Sequence, residues 1–147
     1  MNFDNILTLK FPSRPGNVSL ARICVSTFIT PLDPSLSDLS DIKTALSEAV
    51  TNALVHGYED TEGLIELEMT LKDRTLSVTV KDFGCGMENV EESMRPLFTT
   101  KPSQERTGMG FTIMEAFMDN VDVHSEKGKG TTVKLMKYIE KGREAHE

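Results

Sequence analysis

The chain has 147 residues, of which 38% are hydrophobic and 27% charged, and its formal net charge is -7. These values predict one globular domain and exclude a disordered, fibrous or membrane chain. The negative charge also argues against sequence-independent binding of nucleic acid, because such binding needs many Lys and Arg side chains.

The first half of the chain predicts one strand and two helices. Apolar residues alternate with polar ones over residues 5–11, which is typical of a strand. Asn17 is expected to cap a helix that runs to about Ile29. Apolar residues then recur at helical spacing over residues 38–56, and Gly57 is a natural end for this second helix.

The second half predicts two hairpins with a helix between them. The segments LIELEMTL from Leu64 and TLSVTVKD from Thr75 form the first hairpin, and NVDVHSE and TTVKLMKY form the second. A helix is expected over residues 109–119, and a frayed tail over 141–147. Residues 1–147 are thus predicted to form a single α+β domain, a two-layer sandwich with helices on one mixed, mostly antiparallel sheet.

The N-terminal segment and the two cysteines indicate a cytoplasmic protein. No apolar run approaches the roughly 18 residues of a membrane span. The first residues lack the basic start and apolar middle of a signal peptide. Cys24 and Cys85 lie far apart with no paired spacing, which predicts neither a disulfide framework nor a zinc site.

The second predicted helix carries a carboxylate and an amide on one face. Glu48 and Asn52 are one turn apart and roughly opposite the apolar stripe that contains Leu46. Their neighbours Ala45 and Val55 are uncharged, so this face does not resemble an ordinary solvated surface. A Glu–Asn pair at this spacing is a weak motif, and spacing alone favours an ordinary surface pair.

Two glycine segments are candidates for a ligand site. Residues 82–86 (DFGCG) follow a predicted strand, where a carboxylate can project and glycines admit a close approach. Residues 107–111 (TGMGF) open a predicted helix whose N–H groups could bind phosphate. Each segment alone also fits an ordinary turn. The Asp-Phe-Gly triplet matches the magnesium loop of protein kinases, but their Val-Ala-Ile-Lys and His-Arg-Asp motifs are missing.

Four short motifs, taken in chain order, resemble the N, G1, G2 and G3 boxes of the ATPase superfamily that includes DNA gyrase B, Hsp90, histidine kinases and MutL. The motifs are Glu48…Asn52, Asp82-x-Gly84-x-Gly86, Gly108-x-Gly110 and Gly130-Thr131. The segments SEAVTNALVHGY, PLFTTKP and ERTGMGFTIMEAFMDNV resemble the serine-kinase anti-sigma factors, and among them those of the sporulation sigma factor F. This resemblance covers Leu7 to about Ile139 and implies the Bergerat type of sandwich.

The resemblance implies a role for each matching residue in binding ATP or ADP. Asp82 would accept a hydrogen bond from the adenine amino group and would not bind magnesium. Asn52 would supply its amide oxygen to Mg²⁺, and Glu48 would be the general base beside the γ-phosphate. The remaining nucleotide-binding positions lie in the glycine boxes, the lid and the last strand: Gly84, Gly86, Met87, Thr99, Thr100, Lys101, Arg106, Thr107, Gly108, Met109, Gly110, Phe111 and Thr131.

Some of these assignments have an equally simple structural alternative. Without the boxes around it, the segment 96–107 fits a solvated loop, and Thr131 fits an ordinary strand threonine. Arg22 matches a position at which family members contact their partners, and an exposed solubilising arginine is the alternative.

The resemblance also implies a function and its partners. The ATP form would bind and inhibit sigma factor F of RNA polymerase, and the protein would phosphorylate a serine of its anti-anti-sigma antagonist. Family members form homodimers, and neither direct nucleic-acid binding nor membrane binding is expected. Two alternatives stay open, namely a general-stress anti-sigma serine kinase and a non-catalytic sigma-binding module gated by ATP and ADP.

Overall fold

The computed structural model of the chain describes residues 3–58, 61–87, 89–94 and 110–142. The strands in chain order are β1 (Asn5–Pro12), β2 (Leu64–Lys72), β3 (Thr75–Asp82), β4 (Asn120–Glu126) and β5 (Gly130–Tyr138). The α-helices are α1 (Gly16–Phe28), α2 (Leu36–Asn52), α3 (Val90–Ser93) and α4 (Gly110–Phe117). A short 3₁₀ helix spans Thr30–Leu32, and a π-helical turn spans Ala53–Gly57.

The five strands form one sheet in the order β1-β2-β3-β5-β4. Both predicted hairpins are present, and the first turns tightly at Asp73 and Arg74, where Asp73 has a φ of 54°. The predicted α+β sandwich is confirmed. The expected mixed sheet is not found, because every pairing between the described strands is antiparallel.

The core lies between one face of the sheet and the helices. Alternate residues of β3, namely Leu76, Val78 and Val80, are almost fully buried, and α2 contributes Ile42 and Leu46. Burying one such side chain stabilises the fold by about 1.5–3 kcal/mol. The opposite face of β3, at Ser77, Thr79 and Lys81, is half-buried or exposed. The helices therefore form one layer and the sheet the other.

Helix α2 extends further than the sequence pattern predicts at its start and changes geometry at its end. It begins at Leu36, because the Ser35 hydroxyl caps it by accepting a hydrogen bond from the Asp38 N–H at 3.0 Å. It ends at Asn52, where the π-helical turn takes over and the Tyr58 N–H donates to the Ala53 carbonyl at 3.2 Å. Such turns are rare and often lie at functional sites.

Two sequence expectations are wrong in detail. Asn17 does not cap α1, because Pro15 occupies the cap with its restricted φ of -53°, and the Asn17 side chain donates to the Pro12 carbonyl instead. The tail predicted to fray, 141–147, is paired at its first two residues, because Lys141 pairs with Pro34 and the Gly142 N–H donates to the Asp33 carbonyl at 2.6 Å. Residues 143–147 lie outside the described residues. Within the described ranges, no helix is long and apolar enough to cross a bilayer.

Candidate functional site

Three polar side chains lie in one row across the end of the sheet. Asp82 on β3 pairs with Thr131 on β5, and Thr131 pairs with Ser125 on β4. Paired residues of neighbouring strands share a face, so this polar row continues the helix-facing side of the sheet. The next row inward is apolar, and includes Val80 and Val133. The hydrophobic core thus ends in a row of hydrogen-bonding groups.

Asp82 is a buried carboxylate that is fixed by backbone donors. Only 3% of its surface is exposed. Its Oδ1 atom accepts hydrogen bonds from the N–H groups of Gly84, at 2.9 Å, and of Thr131, at 3.3 Å, whereas Oδ2 receives neither. Burial raises the pKa of the Asp82 carboxyl above its ordinary value, and the two N–H donors partly offset this rise. The side chain is therefore a positioned acceptor with little water around it.

Gly84 and Gly57 bring two segments of backbone into direct contact. A Cβ atom on Gly84 would lie 1.7 Å from the Gly57 carbonyl oxygen, and one on Gly57 would lie 2.7 Å from Asp82 Cγ. The Cys85 N–H donates to the same Gly57 carbonyl at 2.9 Å. Only glycine permits this approach, which joins the end of the α2 segment to the loop after β3.

Gly86 requires glycine for a second reason. Its φ is +71°, and a Cβ atom there would lie 2.2 Å from the Glu126 carbonyl oxygen. The loop after β3 thus passes close to the end of β4. The next residue, Met87, is attached there, because its N–H donates to the Ser125 hydroxyl at 2.7 Å.

Tyr58 links the same two segments through its hydroxyl. That hydroxyl donates to the Leu64 carbonyl at 2.5 Å and accepts from the Phe83 N–H at 2.7 Å. Burial raises the pKa of Tyr58, so the hydroxyl keeps its proton at neutral pH. Because Phe83 follows Asp82 directly, this bridge helps to fix the backbone that carries the carboxylate.

Glu48 and Asn52 lie on the last two turns of α2, and both are half-buried. Their neighbour Ala45 is fully buried and belongs to the core side of the helix. Helix α4 packs on α2 and begins with Gly110 and Phe111, both of them buried. Asn52 ends α2 and is followed at once by the π-helical turn that leads to Gly57. The π-helical turn Ala53–Gly57 therefore connects α2, on which α4 packs, to the loop that follows Asp82.

Seven of the residues predicted to bind nucleotide lie outside the described residues. They are Thr99, Thr100, Lys101, Arg106, Thr107, Gly108 and Met109. The structure does place Gly84, Gly86, Met87, Asp82 and Thr131 together at one end of the sheet.

Arg22 lies in a different place, on α1. Its Nη1 atom donates to the Ser47 hydroxyl on α2 at 3.2 Å. It lines a groove of about 350 Å³ together with Ser19, Ile23, Ser26, Thr27 and Lys43. Arg22 is thus neither fully exposed nor free, and Ser47 adjoins Glu48 in the sequence.

The sequence analysis did not single out Gly57, Tyr58 or Ser125. Gly57 was interpreted only as a helix end. Its contact with Gly84 was not predictable, because it joins residues far apart in the sequence. Ser125 does leave a signal. The alternation of β4 places Val121 and Val123 on the core face and then a serine at the next position of that face.

Known proteins are similar to this chain in sequence. The family model of the histidine kinase-like ATPase domain matches residues 11–137. A Clostridium kluyveri protein named anti-sigma F factor is 50% identical over 135 residues, covering 92% of this chain and 95% of the relative. A Geobacillus protein of the same name is 51% identical over 140 residues, covering 95% of this chain and 96% of the relative.

A solved structure agrees in fold. The crystal structure of the RsbU and RsbW domains of a Mycobacterium tuberculosis protein gives a TM-score of 0.67 at 21% identity and covers 92% of this chain. This chain covers 32% of that longer chain, so the likeness concerns the fold of one part of it.

These similarities first define the class, a histidine kinase-like ATPase domain, and ATPases of this class bind nucleotide. Within the class the chain belongs to the anti-sigma F factors, with which it shares about half of its residues over most of its length. The relationship that the four sequence motifs indicated is confirmed.

Proposed function

We propose that the chain is an ATP-dependent serine kinase that also holds sigma factor F of RNA polymerase in an inactive complex. The observation that carries this proposal is the positioned, buried carboxylate of Asp82 beside the glycine loop. An acceptor of this kind suits the amino group of adenine. The relatives are named anti-sigma F factor, and this name supports sigma factor F as the partner.

At the base end, Asp82 accepts a hydrogen bond from the adenine amino group. Guanine carries a carbonyl oxygen at that place on its ring, which the carboxylate repels. Thr131, next to Asp82, bonds to the adjacent edge of the base. The loop that contains Gly84, Gly86 and Met87 lies beside Asp82 and borders the base, and Gly110 and Phe111 border the site from α4.

At the phosphate end, Asn52 would hold Mg²⁺ through its amide oxygen. The described residues contain no cluster of three or more His, Cys, Asp or Glu that could hold a metal ion. A single amide oxygen would suit Mg²⁺, a hard ion that can take one protein ligand and find its other ligands on phosphates and water. When bound, the ion neutralises phosphate charge. The resemblance assigns the triphosphate to residues outside the described ranges, namely Thr99, Thr100, Lys101, Arg106, Thr107, Gly108 and Met109.

Glu48 acts on the protein substrate. Its carboxylate takes the proton of a serine hydroxyl on the anti-anti-sigma antagonist as that oxygen attacks the γ-phosphorus. The bond from the γ-phosphorus to the bridging oxygen breaks, and ADP leaves. The products are ADP and a phosphoserine on the antagonist, whose proton has passed to Glu48.

The groove at Arg22 offers a partner surface on α1 and α2. The guanidinium donates to the Ser47 hydroxyl, so Arg22 links α1 to α2 at this surface. The protein acts as a homodimer that presents one sigma factor to two subunits.

The proposal is tested by following sigma factor F and the antagonist together. The complex of this chain with sigma factor F and Mg-ATP is mixed with the antagonist, and sigma release and antagonist phosphoserine are measured over time. We expect release followed by phosphorylation, whereas Asp82→Asn, which binds ATP weakly, should form little of the complex and yield almost no phosphoserine. Release of sigma without phosphoserine would instead identify a non-catalytic module gated by nucleotide.

A further inference from the structure

The Ser125 hydroxyl stands at the end of the polar row and contacts three other groups. Its oxygen accepts a hydrogen bond from the Met87 N–H at 2.7 Å. It lies 2.7 Å from the Thr131 hydroxyl oxygen and 3.2 Å from the Gly130 carbonyl oxygen. Ser125 is half-buried and Thr131 is buried, so these contacts are partly shielded from water.

Counting hydrogens limits how these groups can be arranged. A serine hydroxyl has one hydrogen to donate, and the Ser125 hydrogen goes to either the Gly130 carbonyl or the Thr131 oxygen. If it goes to Gly130, Thr131 donates to Ser125 and can offer a ligand only lone pairs. If it goes to Thr131, the Thr131 hydrogen becomes available to a ligand. The 2.7 Å contact between the two hydroxyl oxygens is a hydrogen bond in either arrangement, so the group that a bound ligand presents to Thr131 decides between them.

The second arrangement matches one edge of adenine. That edge presents the amino group, a donor, beside the ring nitrogen N1, an acceptor. Asp82 is an acceptor and Thr131 is then a donor, and the two are already linked by the hydrogen bond from the Thr131 N–H to Asp82 Oδ1. Guanine presents the reverse order, with an acceptor oxygen beside a donor N–H.

We propose that Ser125 is a positioning residue for base recognition, because its hydroxyl donates to Thr131 and thereby turns the Thr131 hydrogen toward N1 of adenine. This inference rests on the proposed function. The same Ser125 oxygen holds Met87 of the glycine loop, so one hydroxyl fixes both the donor to the base and the loop beside it.

The test compares ATP with 1-deaza-ATP, in which N1 is replaced by a carbon that accepts no hydrogen bond. Calorimetry gives the affinity of both nucleotides for the wild type, Ser125→Ala and Ser125→Thr. We expect the wild type to bind 1-deaza-ATP roughly five- to tenfold more weakly than ATP. The affinity of Ser125→Ala for ATP should be lower than that of the wild type by a similar factor. Its affinity for 1-deaza-ATP should be almost the same as its affinity for ATP. Ser125→Thr, which keeps a hydroxyl, retains the wild-type preference.

Two further variants separate positioning from folding. Ser77→Ala makes the same substitution on the opposite face of β3 and is expected to leave the preference for ATP unchanged. Thr131→Val removes the hydroxyl hydrogen that is proposed to meet N1. It must therefore abolish the preference for ATP over 1-deaza-ATP, even if Ser125→Ala folds poorly.

Equal weakening of both nucleotides by Ser125→Ala, or no weakening, would overturn the inference, because a merely structural role does not depend on N1. In that case the binding of ATP by the wild type still supports the proposed function. A wild type that fails to bind ATP at all contradicts both.

Discussion

The base end of the site and its phosphate end are built in different ways. At the base end, Asp82 and Thr131 are buried on neighbouring strands and are held by backbone hydrogen bonds. At the phosphate end, Glu48 and Asn52 are half-buried side chains on one helix. In the proposed site, backbone contacts would therefore determine base recognition, whereas single side chains would carry out the phosphate chemistry. Changes at the two ends should have different consequences for folding and for activity.

The largest effect is expected for Gly84→Ala at the base end. The new methyl group would meet the Gly57 carbonyl at 1.7 Å, and a backbone atom cannot move aside without disturbing the α2 segment. We expect a loss of at least about 3 kcal/mol in the free energy of unfolding, together with loss of ATP binding. Urea denaturation measures the first quantity and calorimetry the second.

Gly16→Ala is the matched control for that substitution. A Cβ atom there meets nothing within 4 Å, so its free energy of unfolding should change by no more than about 1 kcal/mol. Equal stability of the two variants would show that the base end is not built on this close contact.

Asp82→Asn is expected to separate binding from stability. The amide loses the charged acceptor for the adenine amino group, so ATP affinity should fall roughly ten- to hundredfold. The free energy of unfolding should not fall, because burial disfavours the ionised carboxyl that the substitution removes. Asp122→Asn, at an exposed position on β4, is the control and should change neither. A destabilised Asp82→Asn variant with normal ATP affinity would reverse this interpretation of the base end.

Asn52→Ala tests the phosphate end. We expect affinity for Mg-ATP to fall about tenfold, because one oxygen ligand of the ion is lost. Affinity for ATP in the presence of a chelator should be unchanged, as should the free energy of unfolding to within about 0.5 kcal/mol. An equal loss of affinity with and without Mg²⁺ would remove Asn52 from the metal site.

The pH dependence gives the smallest and most specific effect. The pKa of Asp82 is raised in the folded protein, so its contribution to stability is greatest below its unfolded pKa and is lost as pH rises through the folded one. ATP binding needs the ionised form and should strengthen over the same interval. One group changes either free energy by at most about 1.4 kcal/mol per pH unit. The free energy of unfolding and the affinity for ATP are each measured against pH for the wild type and for Asp82→Asn, and the difference between the two proteins isolates the contribution of Asp82. If stability and affinity changed in the same direction with pH, the assignment of Asp82 would be contradicted.

The sequence predicts most of the fold because its signals are local. Alternating residues in β2 and β3 place the strands, and the apolar stripe of α2 places the helix that covers them. The motif order also predicts the site residues, through resemblance. The close contact of Gly57 with Gly84 was not predictable, since it depends on two distant segments meeting in space. Asn17 was misassigned because a proline two residues earlier already starts the helix.

The central claim, that this site transfers phosphate to a protein serine, is tested most directly by a single-turnover assay. The protein, loaded with γ-labelled ATP and Mg²⁺, is mixed with excess antagonist, and the label on serine is followed for wild type and Glu48→Gln. The account predicts transfer by the wild type and a loss of at least about a hundredfold in rate for the variant, with ATP affinity retained. Equal rates for the two proteins, or no label on serine with the wild type, would contradict it.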